Sequence, residues 1–247
     1  MKNFESGDFD FIKSVQDRVS HSLENKGLLI DLSTDSCRKY LQRKVNTKTK
    51  VVVMYVDIAG STQMSHDLPS LSLALIIQIF SQEVSLSIEK YGGYVLKFVG
   101  DAVIGLFPSD HDQKKAIMNS LDCANYIQNV ITTGINPIFK KHSLHEIAVK
   151  IGIEYGNALV LLYGKNTDHA HIDLIGFGIS ITAKITSLGF PGEVIVGENI
   201  YHNLDISQKK YFLALYAERN SKWDSVMKYN DNLTYRMYRY VKGNSQI

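Results

Sequence analysis

Two β-rich runs, Tyr94–Val99 and Ala102–Phe107, are separated only by Gly100 and Asp101. That spacing leaves room for little besides a tight antiparallel hairpin with an aspartate at its tip. A long helix-periodic stretch precedes it, from about Ser70 to Lys90. In it Leu73, Ile76, Ile77, Phe80, Val84 and Ile88 share one face, and Gly92-Gly93 stops the helix. Further upstream, Val51–Val56 reads as a buried strand. It runs into Asp57-Ile-Ala-Gly-Ser-Thr62, a loop with a glycine and two hydroxyl residues.

The pattern continues downstream. A second helix is expected from about Gln113 to Ile131, with Ile117, Leu121, Ala124, Ile127 and Ile131 inward, followed by Asn136-Pro137 in a loop. Ala148–Tyr155 reads as a strand, with Leu159–Tyr163 as its hairpin partner across Gly156. His171–Ile175 is a short apolar run before Gly176, and a helix follows from about Ile179 to Leu188. Glu193–Val196 reads as a strand and Glu198–Leu204 as a short helix. Strand-like segments at Tyr211–Tyr216 and Leu233–Val241 close the chain. The order β-α-β-β-α-β-β-α-β predicts an α+β fold, a ferredoxin-like mixed sheet with covering helices.

Residues 1–48 differ in character. They are polar with apolar anchors at Phe9, Phe11, Ile12, Val15, Val19 and Leu23, the last four at helical spacing. A short strand over Leu28–Leu32 and a helical turn or two over Ser36–Lys44 are expected there. We read 1–48 as an N-terminal extension, helical in part, and 49–247 as one domain, a division that suits 247 residues. A net charge of +2 makes no electrostatic case for a nucleic-acid partner. Cys37 and Cys123 lack the spacing of a metal site or redox pair. The apolar runs are strand-sized rather than membrane-sized, and the acidic, aromatic start does not fit a signal peptide. The expectation is a soluble, cytoplasmic protein without a membrane partner.

A carboxylate at a strand end, beside the amides of a following helix, suits a cation that bridges to phosphate. Asp57 is such a residue, though a helix-capping role explains it equally well when it is taken alone. Asp101 at the hairpin tip changes the balance. If the first strand lies beside the hairpin, two carboxylates converge, and they repel unless a proton or cation neutralises them. Two metal ions there would activate a hydroxyl and stabilise a leaving phosphate.

The segments VVVMYVDIAGST and YVLKFVGDAVIGLF, continued by VKIGIEYGNALVLLYG, HIDLIGFGISITAKI and PGEVIVGENIY, resemble the catalytic domain of class III nucleotidyl cyclases, the adenylate and guanylate cyclases. The resemblance spans roughly residues 50 to 205, in order and without large gaps. It implies that Asp57, Asp101 and the Ile58 carbonyl hold two divalent cations, Mg²⁺ or Mn²⁺. It implies that Ala59, Gly60, Ser61 and Thr62 wrap a nucleoside triphosphate. Lys97 and Asp173 stand where adenylate cyclases carry the residues that read the base, and adenine N1 suits Lys while N6 suits a carboxylate. Ser180 and Lys184 stand where Asn and Arg stabilise the transition state. The four-residue spacing keeps both on one helix face, but serine reaches less far and lysine lacks the two-pronged contact. Phe177 replaces a commonly polar residue, and Lys228 corresponds loosely to a phosphate-contacting lysine. The implied activity is conversion of ATP to 3′,5′-cyclic AMP and pyrophosphate by a head-to-tail homodimer. The altered helix leaves two alternatives, a pyrimidine nucleotide as substrate or a non-catalytic nucleotide-binding regulator.

Overall fold

The computed structural model describes residues 6–25, 34–165, 170–215 and 235–241. In chain order the elements are α1 (Ser6–Asn25), α2 (Asp35–Gln42), β1 (Lys48–Ile58), α3 (Ser61–Asp67), α4 (Ser70–Lys90), β2 (Tyr94–Val99), β3 (Ala102–Pro108) and α5 (Gln113–Asn129). A π-helical turn, Val130–Ile135, leads into α6 (Asn136–Lys141). Then come β4 (Val149–Tyr163), β5 (His171–Ile175), α7 (Phe177–Ser187), β6 (Val194–Gly197), α8 (Glu198–His202), α9 (Ile206–Lys209), β7 (Phe212–Leu215) and β8 (Met237–Tyr240).

The strands form one mixed sheet in the order β2-β3-β1-β4-β6-β8-β7, and β5 pairs with the C-terminal end of β4. β4 and β6 run parallel; the other pairs are antiparallel. β1 lies between β3 and β4, and its two-residue alternation assigns the two faces. Val52, Met54, Val56 and Ile58 enter the larger core with α4, α5 and the π-turn. Val51 and Val53 enter a second core with Cys37 and Leu41 of α2. Helix α7 also packs on β1 and β4. Its approach leaves no room for a side chain at Gly152, where an added Cβ would sit 2.1 Å from Thr186 Oγ1.

Helix α1 lies on the other side of the molecule, with Val15 and Val19 buried in the larger core. Arg18 grips buried Glu83 of α4 at 2.6 Å. By length and composition α4 is apolar enough to cross a membrane, contrary to the expectation of strand-sized apolar runs only. Here Ile76, Ile79, Phe80, Val84 and Ile88 are spent on the core.

The structure corrects three local expectations. Residues 149–163 form one continuous strand rather than a hairpin about Gly156, because β1 pairs along it without a break, Val51 opposite Gly156. Its hairpin partner is β5. Asn136-Pro137 opens α6 instead of a loop, since proline at the first helical turn loses no hydrogen bond. Ser61 and Thr62 begin α3 rather than lying in a loop. The expected strand at Leu28–Leu32 falls outside the described residues.

β4 also carries Glu154, which is fully buried. It accepts hydrogen bonds from the Tyr155 amide and the Tyr235 hydroxyl. Burial foremost, and then the Glu198 charge, push its carboxyl up to about 8, against the backbone amides of Tyr155 and Ile200 and the Asn199 side chain, which lower it. The folded state therefore holds a proton that the unfolded state has released above the ordinary carboxylate range. Stability conferred by that proton is present at low pH and is lost as pH rises towards about 8. Thermal unfolding between pH 5 and 9 should show a Tm that falls with pH in the wild type and falls less in Glu154→Gln; equal slopes would overturn this.

Candidate active site

Two clusters gather on the sheet. The first gathers where β1 ends. Asp57 pairs in register with Ala102 of β3 and with Lys150 of β4. Gly100 takes the positive φ of 60° that the two-residue turn needs, and the turn carries Asp101 to the end of β1. Burial first, and the nearby Asp101 carboxylate, raise the pKa of Asp57; Lys150 opposes both with its ammonium 2.9 Å from Asp57 Oδ2. Asp101 Oδ2 is buried and accepts no hydrogen bond from any described group. Two converging carboxylates, one with an orphaned buried oxygen and the other drawn to an ammonium, form a site that attracts cations.

No group of three or more His, Cys, Asp or Glu gathers among the described residues. The acidic donor set is therefore two aspartates. With backbone carbonyls and triphosphate oxygens added, this is the hard, oxygen-rich and incomplete shell that Mg²⁺ or Mn²⁺ takes in nucleotide sites. Beyond Asp57 the chain turns through Ala59, whose amide donates to Ala148 O, and through Gly60 at φ 76° into α3.

The second cluster joins β2 to β5. Val95 pairs with Gly105 and Lys97 with Ile104, so Leu96 is an extra residue in a bulge. A bulge re-aims its neighbours. Leu96 is buried, while Lys97 is partly exposed and its Nζ donates to Asp173 Oδ2 at 2.5 Å. The two residues that resemble a base-reading pair thus meet although 76 positions separate them. The Asp173 Oδ1 also accepts from the Leu174 amide, which steadies the carboxylate.

Gly176, with φ 155°, immediately precedes α7, and an added Cβ there would sit 2.8 Å from the Asn157 carbonyl. Ile181 and Ile185 turn inward, against Ile195, Tyr235 and Met237. Ser180 and Lys184 lie on the exposed side of the helix. Phe177 is exposed as well. Lys228 falls outside the described residues. Lys150 was not anticipated: its only sequence trace is a charge within the apolar run Val149-Lys-Ile-Gly-Ile, and its contact with Asp57 depends on the β1–β4 register.

Residues 43–222 match the family described as the adenylate and guanylate cyclase catalytic domain. The chain is 24% identical over 181 residues to an Escherichia coli protein named cytidylate cyclase, covering 70% of this chain and 39% of that protein. It is 28% identical over 173 residues to human adenylate cyclase type 10, covering 63% of this chain and 10% of that one. It thus spans well under half the length of both relatives. Its fold is similar to the crystal structure of the adenylyl cyclase CyaB from P. aeruginosa, with a TM-score of 0.64 at 19% identity over 81% of this chain and 98% of that one. The match over most of the chain, joined to this mixed sheet with covering helices, makes the chain a member of the class III nucleotidyl cyclase family.

Proposed function

We propose that this protein is an adenylate cyclase that converts ATP to 3′,5′-cyclic AMP and pyrophosphate as a homodimer. The observation that carries this reading is the Lys97–Asp173 pair. It offers one donor and one acceptor side by side, matching adenine N1 and the N6 amino group. Guanine and uracil present the reverse order and leave both groups unpaired.

Asp57, Asp101 and the Ile58 carbonyl would hold the metal ions. When bound, such ions lower the pKa of the attacking 3′-hydroxyl and neutralise triphosphate charge. The chain does the rest by positioning. Lys150, whose ammonium lies 2.9 Å from Asp57 Oδ2, would follow negative charge as the phosphates arrive. Ala59, Gly60, Ser61 and Thr62 would line the triphosphate. Ser180 would hydrogen-bond the ribose, and Lys184 would supply charge to the phosphates, which lysine does as a point charge without a guanidinium fork. The exposure of Ser180 and Lys184 supports a site completed by a second copy: Asp57 and Asp101 from one protomer, Lys97, Asp173, Ser180 and Lys184 from its partner.

A second reading has specific support. Cytosine also presents an amino donor beside a ring-nitrogen acceptor, so the same pair fits CTP, and relatives named cytidylate cyclases match this chain. Incubation with ATP, CTP, GTP and UTP and Mn²⁺ tests both. Cyclic AMP is the expected main product, with specific activity rising with protein concentration. Lys97→Ala should erode the preference for amino-bearing over keto-bearing bases by at least about tenfold. Cyclic CMP as main product moves the assignment to CTP. Saturable nucleotide binding without any cyclic product at any protein concentration identifies a non-catalytic regulator.

A further inference from the structure

Lys97 and Asp173 both sit on strands that the sheet holds weakly. Among the described residues β2 pairs only with β3, and β5, five residues long, pairs only with β4. The β2 ladder is further interrupted by the Leu96 bulge, immediately before Lys97. Backbone pairing alone does not determine the distance between these two edges. Something must span them if the pair is to read a base.

Helix α2 spans them. It contacts both β2 and β5. Its buried residues Cys37 and Leu41 share one core with Leu96, which adjoins Lys97, and with Ile172 and Leu174, which flank Asp173. The helix is itself anchored on the domain. The Tyr40 ring stacks on Tyr94 of β2 with centroids 5.4 Å apart. The Tyr40 hydroxyl donates to Asp110 at 2.6 Å, and Lys44 Nζ lies 2.9 Å from the same carboxylate. After burial itself, the Asp173 charge raises the pKa of both the Cys37 thiol and the Tyr55 phenol, so α2 and β1 both border that carboxylate. Yet α2 ends at Gln42, and the family match starts at residue 43. The element that bridges the two strands lies outside the matched domain.

We propose that α2 is a positioning element for base selection: by packing on β2 and β5 together, it holds Lys97 and Asp173 at the separation that reads an amino-bearing base. The proposal rests on the assignment of Lys97 and Asp173 as the base-reading pair. An error of about 1 Å in such a pair is enough to degrade recognition. Asp57, at the C-terminal end of β1, lies beyond the Val51 and Val53 that share a core with α2.

The test measures equilibrium binding of the 3′-deoxy forms of ATP and GTP, which cannot cyclise, and of inorganic tripolyphosphate, all with Mn²⁺. Lys97→Ala should lower the ATP-to-GTP affinity ratio by at least about tenfold. Leu41→Ala should lower it in the same direction by roughly three- to tenfold, with tripolyphosphate affinity unchanged. Tyr40→Ala, outside the buried centre, covers the case in which Leu41→Ala fails to fold. Val19→Ala, in α1 on the opposite side, should keep the wild-type ratio even as its stability falls. If Lys97→Ala shifts the ratio and the folded α2 variants do not, or if Val19→Ala shifts it equally, the role of α2 is overturned. If Lys97→Ala itself leaves the ratio unchanged, the base-reading assignment fails, and this inference falls with it.

Discussion

Asp101→Asn is expected to lower cyclase kcat by about 10²–10³ while leaving the metal-free protein at least as stable as the wild type. The activity loss has the scale seen when one preorganised electrostatic partner is removed from an active site. The amide keeps the shape of the carboxylate but loses the charge that would bind a divalent cation. The stability result follows from the opposite side of the same geometry. Burial first, and then the Asp101 carboxylate, raise the Asp57 pKa against Lys150, and Asp101 Oδ2 has no hydrogen bond to a described group to lose. Removing the Asp101 charge relieves a repulsion that Lys150, paired with Asp57, offsets only in part. Raised Mn²⁺ should recover part of the activity. A Tm that drops together with activity, with no rescue by Mn²⁺, would show that Asp101 serves the fold instead.

Gly152→Ala is expected to damage the protein through one methyl group. Gly152 lies opposite Tyr55 of β1, on the face that α7 crosses. The added Cβ would stand 2.1 Å from Thr186 Oγ1 and 3.0 Å from the Thr182 carbonyl. Thr186 cannot simply swing away without giving up its 2.7 Å hydrogen bond to that carbonyl. Overpacking of this kind costs about 1–3 kcal/mol, and more where backbone is involved. Because α7 carries Ser180 and Lys184, a helix pushed off the sheet should cost activity beyond the loss of folded protein. Urea unfolding and a cyclase assay on the same samples separate the two effects. Adding Thr186→Ala should recover part of the stability, since the side-chain clash goes and the backbone contact stays. Wild-type stability in Gly152→Ala would refute the close approach.

Most element positions were legible because they depend on neighbours in sequence. The apolar spacing of Ser70–Lys90 predicts α4 with the bounds observed, and Gly100-Asp101 marks its hairpin. Gly156 misled for the same reason. A glycine after a strand reads as a turn, but this one is held extended by β1, more than a hundred positions away. Likewise Pro137, read as a loop signal, is tolerated at a helix start.

The sequence by itself placed two aspartates at strand ends, and its resemblance to the class III cyclases pointed to Lys97, Asp173, Ser180 and Lys184. The aspartates rest on residue type and local spacing, which a chain displays without folding; the other four rest on their places within the resembling motifs. Only the tertiary structure decided which of them touch. It opposed Lys150 to Asp57 through the β1–β4 register, closed Lys97 on Asp173 across two sheet edges, and laid α2 over both. Those contacts join strands far apart in the chain, and their register follows from how the whole sheet buries its two faces, a collective condition that no single segment carries.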